Sequence, residues 1–175
     1  MKSSHSSGTL LLCVLVSLCL ALSSCAAPKA PKDVLDALVK AEKGKVSGSI
    51  YMLSADEGTR EYISDTALIS LYGFDRTLDG LSGGAVYLSD FCHPVEFAVF
   101  LCRDTYTAED VAMYLKNRVR TLYENASASA PFCDLSEDEY RAYIKNADVV
   151  VSGKYVALII SSDTREAKRA FYRAV

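Results

Sequence analysis

The chain has 175 residues, half of them hydrophobic, with 19 Lys and Arg against 22 Asp and Glu and a net charge of −3. An acidic balance without a basic stripe argues against nucleic acid as a partner and against electrostatic membrane binding. The length fits a single domain, large enough to bury roughly two thirds of its unfolded surface.

The N-terminus carries the most specific signal. Lys2 is the only formal positive charge ahead of an apolar run of 14 residues, 9–22. That run suits the hydrophobic region of a secretory leader and falls short of the ~20 residues a membrane-spanning helix needs. Leu22-Ser23-Ser24-Cys25 follows. Two small residues ahead of a cysteine at the end of such a run form the pattern of a bacterial lipobox. On this reading residues 1–24 are a lipoprotein signal peptide, and Cys25, acylated on its sulfur, is the first mature residue. A diacylglyceryl group brings two chains, as stable anchoring requires. An ordinary secretory leader with an incidental Cys25 is the plainer alternative. The mature chain then has 151 residues, with 18 basic and 22 acidic side chains, a net −4.

Residues 25–32 read as the lipidated tether, with two prolines and a reach of about 20 Å. Residues 33–175 read as one α+β domain. A first helix is expected over 33–43, apolar at Val34, Leu35, Leu38 and Val39, with Gly44 as its cap. Residues 49–53 look extended and 55–58 turn-like. A second helix runs from Asp65 as N-cap to Tyr72, where Gly73 stops it. Strand-like runs at 84–89 and 95–102 make a hairpin around 89–94. Residues 107–123 form the strongest helix, with Ala108, Val111, Ala112, Leu115, Val119 and Leu122 at a 3.6-residue period. Residues 126–131 read as a loop. Ser136 and Glu139 form a capping box before a short helix to Lys145. A second hairpin, 148–152 and 155–161, turns at Gly153-Lys154, and Asp163 with Glu166 caps a last helix. The whole is α+β: a four-stranded, mainly antiparallel sheet from two hairpins with packed helices.

Three sets of strings, in this order and spacing, carry a resemblance. They are Leu71-Tyr72-Gly73-Phe74-Asp75, then Glu96-Phe97-Ala98-Val99-Phe100 leading into the helix at Thr107, then residues 149–156 with Ser161-Ser162-Asp163. Over residues 62–175 the chain resembles the bacterial lipoprotein family defined by the domain of unknown function 4358. The lipobox fits that resemblance. The family has no established activity, ligand or catalytic residue, so the resemblance implies no site.

Candidate chemistry is sparse. His93 is the only histidine of the mature chain, and any triad would have to use it. It precedes Pro94 in a turn, where exposed polar residues are routine. Of six cysteines, Cys92, Cys102 and Cys133 remain beyond Cys25. Hairpin geometry separates Cys92 from Cys102 by well over ~20 Å. Reduced thiols are therefore the favoured reading, with a Cys92–Cys133 disulfide the alternative. No metal or cofactor is expected. Eleven tyrosines and no tryptophan suit half-buried edges and binding surfaces alike. Strand 95–102 is apolar on both faces, so its second face needs cover. Helices from residues 33–72 are the favoured cover; a partner protein is the alternative, seated on a face carrying Tyr87 and Phe100.

The expected function is that of a membrane-anchored, extracytoplasmic, non-enzymatic binding or accessory module. It is held to the lipid bilayer through acylated Cys25, with a protein at the membrane as a further partner. An extracytoplasmic hydrolase and a lipoprotein subunit of a membrane complex are the rivals.

Overall fold

Strands that are apolar on both sides need cover on both sides, and this fold supplies it. The computed structural model describes residues 27–42, 46–90 and 93–175. An open five-stranded sheet lies between two helical layers, in an α+β arrangement. The strands are β1 (Gly48–Met52), β2 (Leu81–Ser89), β3 (Glu96–Cys102), β4 (Asp148–Ser152) and β5 (Tyr155–Ile160). Their order is β1-β2-β3-β5-β4, and all neighbours run antiparallel. Six α-helices are present among the described residues: α1 (Pro31–Ala41), α2 (Asp65–Tyr72), α3 (Thr105–Glu124), α4 (Ala126–Ser129), α5 (Glu137–Lys145) and α6 (Thr164–Ala174).

Alternation along the central strands sorts the core into two halves. Phe97 and Val99 of β3, with Ala157 and Ile159 of β5, face α1 and α6, where Val34, Leu35, Leu38 and Phe171 are fully buried. Ala98, Phe100 and Cys102, with Val156, Leu158 and Ile160, face α2 and α3, where they meet Leu68, Tyr72, Val111 and Leu115. Burying each Val, Leu, Ile or Phe among them contributes about 1.5–3 kcal/mol. The Phe100 ring needs one special neighbour. It pairs across the ladder with Gly84, where a Cβ would sit 2.5 Å from the ring. Glycine there lets the ring lie against the β2 backbone.

Several expectations change. The sheet has five strands, not four: the extended run after residue 47 pairs with β2 as an edge strand. The first helix begins at Pro31, not Asp33. Proline's fixed φ and missing N–H suit the first helical position, so two residues assigned to the tether belong to the domain. Its expected cap, Gly44, lies outside the described residues. The second helix is capped by Ser64, whose Oγ accepts from Ala67 N–H at 3.1 Å, and Asp65 is instead inside the helix, paired with Arg76 at 2.7 Å. Asp104 rather than Thr107 caps α3, accepting from the Thr107 N–H at 2.8 Å. That bond, with the Thr107 hydroxyl, holds the Asp104 carboxyl below its usual range. The expected loop at 126–131 is helical: α4 and a 3₁₀ turn, Ala130–Cys133, use its alanines. The Gly73 stop (φ 82°), the Ser136–Glu139 capping box, the Gly153 turn and the Asp163 cap are as expected. Among the described residues no helix is long and apolar enough to cross a membrane.

Candidate functional site

The chemistry of the fold concentrates where β3 begins. Glu96 opens that strand on the α3 side, and at 5% exposure it is the only buried charged residue among those described. A lone carboxylate there would be costly, so the fold pairs it. Arg118, one-third of the way back from the end of α3, donates from Nη2 to Oε2 at 2.9 Å and from Nε to Oε1 at 3.5 Å. Burial alone would lower the Arg118 pKa; the Glu96 charge and hydrogen bond outweigh it and hold the guanidinium above its usual value. The Tyr72 hydroxyl is buried close by and has no partner in hydrogen-bonding geometry, although it feels the carboxylate as a charge. Burial first, then that charge, pushes its pKa well up.

Glu96 and Arg118 form the floor of a cleft of about 410 Å³. Leu122, Tyr140, Cys133, His93 and Phe132 contribute to its walls. Phe132 stands at the rim of the 3₁₀ turn, 76% exposed. A second hollow of about 380 Å³, mostly apolar and including Tyr51 and Tyr62, shares Leu71 and Leu88 with the cleft. The volume falls in the range of small-molecule sites, about 300–1,000 Å³.

His93 is at the cleft mouth. Its Nδ1 accepts from the Val95 N–H at 3.3 Å, which leaves the neutral ring's proton on Nε2. The ring packs edge-on to Tyr143 at 5.2 Å. Burial lowers its pKa, with Glu42 opposing. Ser89 turns its hydroxyl to the His93 carbonyl rather than to the ring. Ser161 and Ser162 both donate to Glu42, Ser161 at 2.5 Å. The hydroxyls near His93 are thus engaged with oxygen acceptors, and no Ser-His couple is formed among them. No group of three His, Cys, Asp or Glu among the described residues is placed to hold a metal.

Cys133 lines the cleft, with its thiol donating to the Ser129 carbonyl at 3.4 Å. Its proposed disulfide partner, Cys92, and the acylation candidate, Cys25, lie outside the described residues. The partner face is corrected. Tyr87 and Phe100 are on opposite sides of the sheet, 5% and 0% exposed. Tyr87 packs near Phe97 at 6.0 Å and donates to the Val46 carbonyl at 2.5 Å. Phe100 meets Tyr72 at 5.6 Å and Phe74 at 5.2 Å. Both faces are covered internally, so neither ring is available to a partner. The cover is shared differently than expected: α2 joins α3 over Phe100, and α1 joins α6 on the other face.

Sequence reasoning missed Glu96 and Arg118, although both leave a signal. Glu96 is the one charge in the run 95–102. Arg118 falls on the apolar stripe of its helix, three residues after Leu115 and four before Leu122. A charge on a buried stripe calls for an opposite charge on the surface it packs against. Comparison with protein-family models, with curated proteins and with solved structures returns no match to this chain.

Proposed function

We propose that this protein is a lipid-anchored, extracytoplasmic binding domain that takes a small ligand with an apolar body and a polar end into the Glu96–Arg118 cleft. The observation that carries the reading is the cleft itself. A buried ion pair sits at its floor, apolar walls rise from it, and a large aromatic residue stands exposed at its rim. Apolar pockets with a few convergent polar groups are the usual form of such sites. The anchoring half rests on the lipobox at Cys25 and fits the lipoprotein resemblance. The non-enzymatic reading of the binding half is supported by His93, whose Nδ1 is engaged by the Val95 N–H and whose ring packs on Tyr143.

Each half has its own test. Cys25→Ala should abolish labelling of the expressed protein by radioactive palmitate; undiminished labelling would refute the lipobox. For the cleft, a chain starting at Ala27 should bind the anionic apolar dye 1-anilinonaphthalene-8-sulfonate saturably. Phe132→Ala should weaken that binding by roughly tenfold, the worth of one rim aromatic. Leu122→Arg, which fills the cleft, should remove it. Unchanged binding in both variants ends the cleft assignment.

A further inference from the structure

The net charge of the chain conceals a division between its layers. Residues 27–42 and 161–175, which contain α1 and α6, hold seven Lys and Arg against five Asp and Glu, a net +2. Residues 48–160 hold nine against seventeen, a net −8. Six of the first group's cations are exposed, and the half-buried Lys168 pairs with Asp148. Arg165, Arg169 and Arg173 recur every four residues on the exposed face of α6, with Tyr172 half-exposed among them. Lys29, Lys40 and Arg173 flank a shallow groove of about 520 Å³ between α1 and α6, floored by Ala37, Ala170 and Ala174. Arg173 and Arg169 share a single carboxylate, Glu166, at 3.7 and 3.4 Å. Among the described residues Lys29, Lys40 and Arg165 have no ion pair. Acids are present too: Asp33 lies on the groove and Asp36 pairs with Lys32 at 2.7 Å.

The chain enters the fold on this face. The Tyr155 hydroxyl donates to the Lys29 carbonyl at 2.8 Å, which pins the entering segment to the end of β5. Only four residue steps separate Lys29 from Cys25, at most about 14 Å of extended chain. The Debye length at physiological salt is about 8 Å. Once its anchor is in the bilayer, the segment that enters this face stays within about two Debye lengths of the headgroups.

We propose that the α1–α6 layer seats on an anionic bilayer surface, with its arginines and lysines against acidic headgroups, Tyr172 at the interface and the acidic layer turned away. The proposal rests on the acylation at Cys25 put forward above. The partner is committed by charge: a positive surface would repel the basic layer, a neutral one offers it no attraction, and the negative potential of acidic lipids draws it in. It also replaces the expectation that this acidic chain has no electrostatic membrane contact. The whole-chain sum is blind to a charge segregated by the fold.

The test uses the processed, acylated protein purified from membranes and reconstituted on vesicles of phosphatidylcholine alone or mixed with phosphatidylglycerol. A water-soluble acylating reagent then labels its lysines. On the anionic vesicles at low salt, labelling of Lys29 and Lys40 should fall about fivefold relative to neutral vesicles, the factor that one cation near an acidic surface is worth. Lys116 and Lys145, exposed on the opposite layer, should label equally on both. High salt, or Arg169→Glu with Arg173→Glu, should erase the difference. Equal labelling of Lys29 and Lys40 on both vesicles, or equal protection of Lys116 and Lys145, overturns the seating while leaving the anchor intact. Failure of the protein to float with either vesicle overturns the anchor, and the seating falls with it.

Discussion

Replacing Arg118 by Met leaves the Glu96 carboxylate buried without its counter-charge. Removing one member of a buried pair costs about 3–5 kcal/mol, against a total stability of about 5–15 kcal/mol for a domain. With a urea dependence of about 2 kcal/mol per molar, the unfolding midpoint should drop by roughly 1.5–2.5 M at neutral pH. The reverse change, Glu96→Leu, should cost less, about 1–3 kcal/mol. The Arg118 side chain is 17% exposed and lines the cleft, so its head has a route to water that Glu96, at 6%, lacks. The double variant should recover to within about 1 kcal/mol of the parent, because an apolar pair of similar volume replaces the ionic one. Urea titrations of the four proteins at neutral pH check all of this. A loss under about 1 kcal/mol for Arg118→Met, or equal losses for the two single changes, would refute the reasoning.

Tyr72→Phe removes a buried hydroxyl that has no partner and keeps the ring contacts with Phe74 and Phe100, so stability should hold or rise by about 1 kcal/mol; a loss in thermal unfolding would reveal a partner for that hydroxyl. Gly84→Ala puts a Cβ 2.5 Å from the Phe100 ring and 3.1 Å from Leu53, and should cost about 1–3 kcal/mol. Phe100→Leu in the same chain should return part of the loss, and full additivity of the two would argue against the contact. Cys102 is 1% exposed, and burial, then Asp104, pushes its thiol up to about 11. It should resist a maleimide under native conditions and react on unfolding. Since its folded pKa is raised, its contribution is complete below the unfolded value of about 8.5 and is lost as pH rises toward the folded one. Cys102→Ala should flatten that alkaline slope.

The elements legible in the sequence are those whose local signals agree with their packing. The stripe of α3, the Ser136–Glu139 box and the Gly153 turn each satisfy backbone groups or bury an apolar face without help from afar. The elements misread depend on distant partners. β1 has little pattern of its own because it is an edge strand, and its place is set by pairing with β2. Pro31 looked like tether because proline is ambiguous between a linker and a helix start. The double-sided strands pointed correctly to internal cover, yet not to which helices supply it. Glu96 and Arg118 are 22 residues apart in the chain and meet only through the packing of α3 on β3. Either alone passes for an ordinary surface charge, and only their coincidence on two buried stripes marks the site.

The central strand ties the two proposals to one geometry. Glu96 faces the cleft layer and its neighbour Phe97 faces the basic layer, because successive residues of β3 alternate across the sheet. A domain seated through α1 and α6 therefore presents the cleft on its far side, to water. That orientation accounts for Phe132 standing exposed: the rim would receive a ligand from the aqueous phase and has no lipid to contact. Hydrogen exchange on vesicles separates the alternatives. The amides of α6 should slow on anionic relative to neutral vesicles, whereas those of Ala130–Cys133 at the cleft rim should exchange alike on both. Slowing at the rim instead would place the cleft against the bilayer and make its ligand a lipid, with the basic layer exposed to solvent.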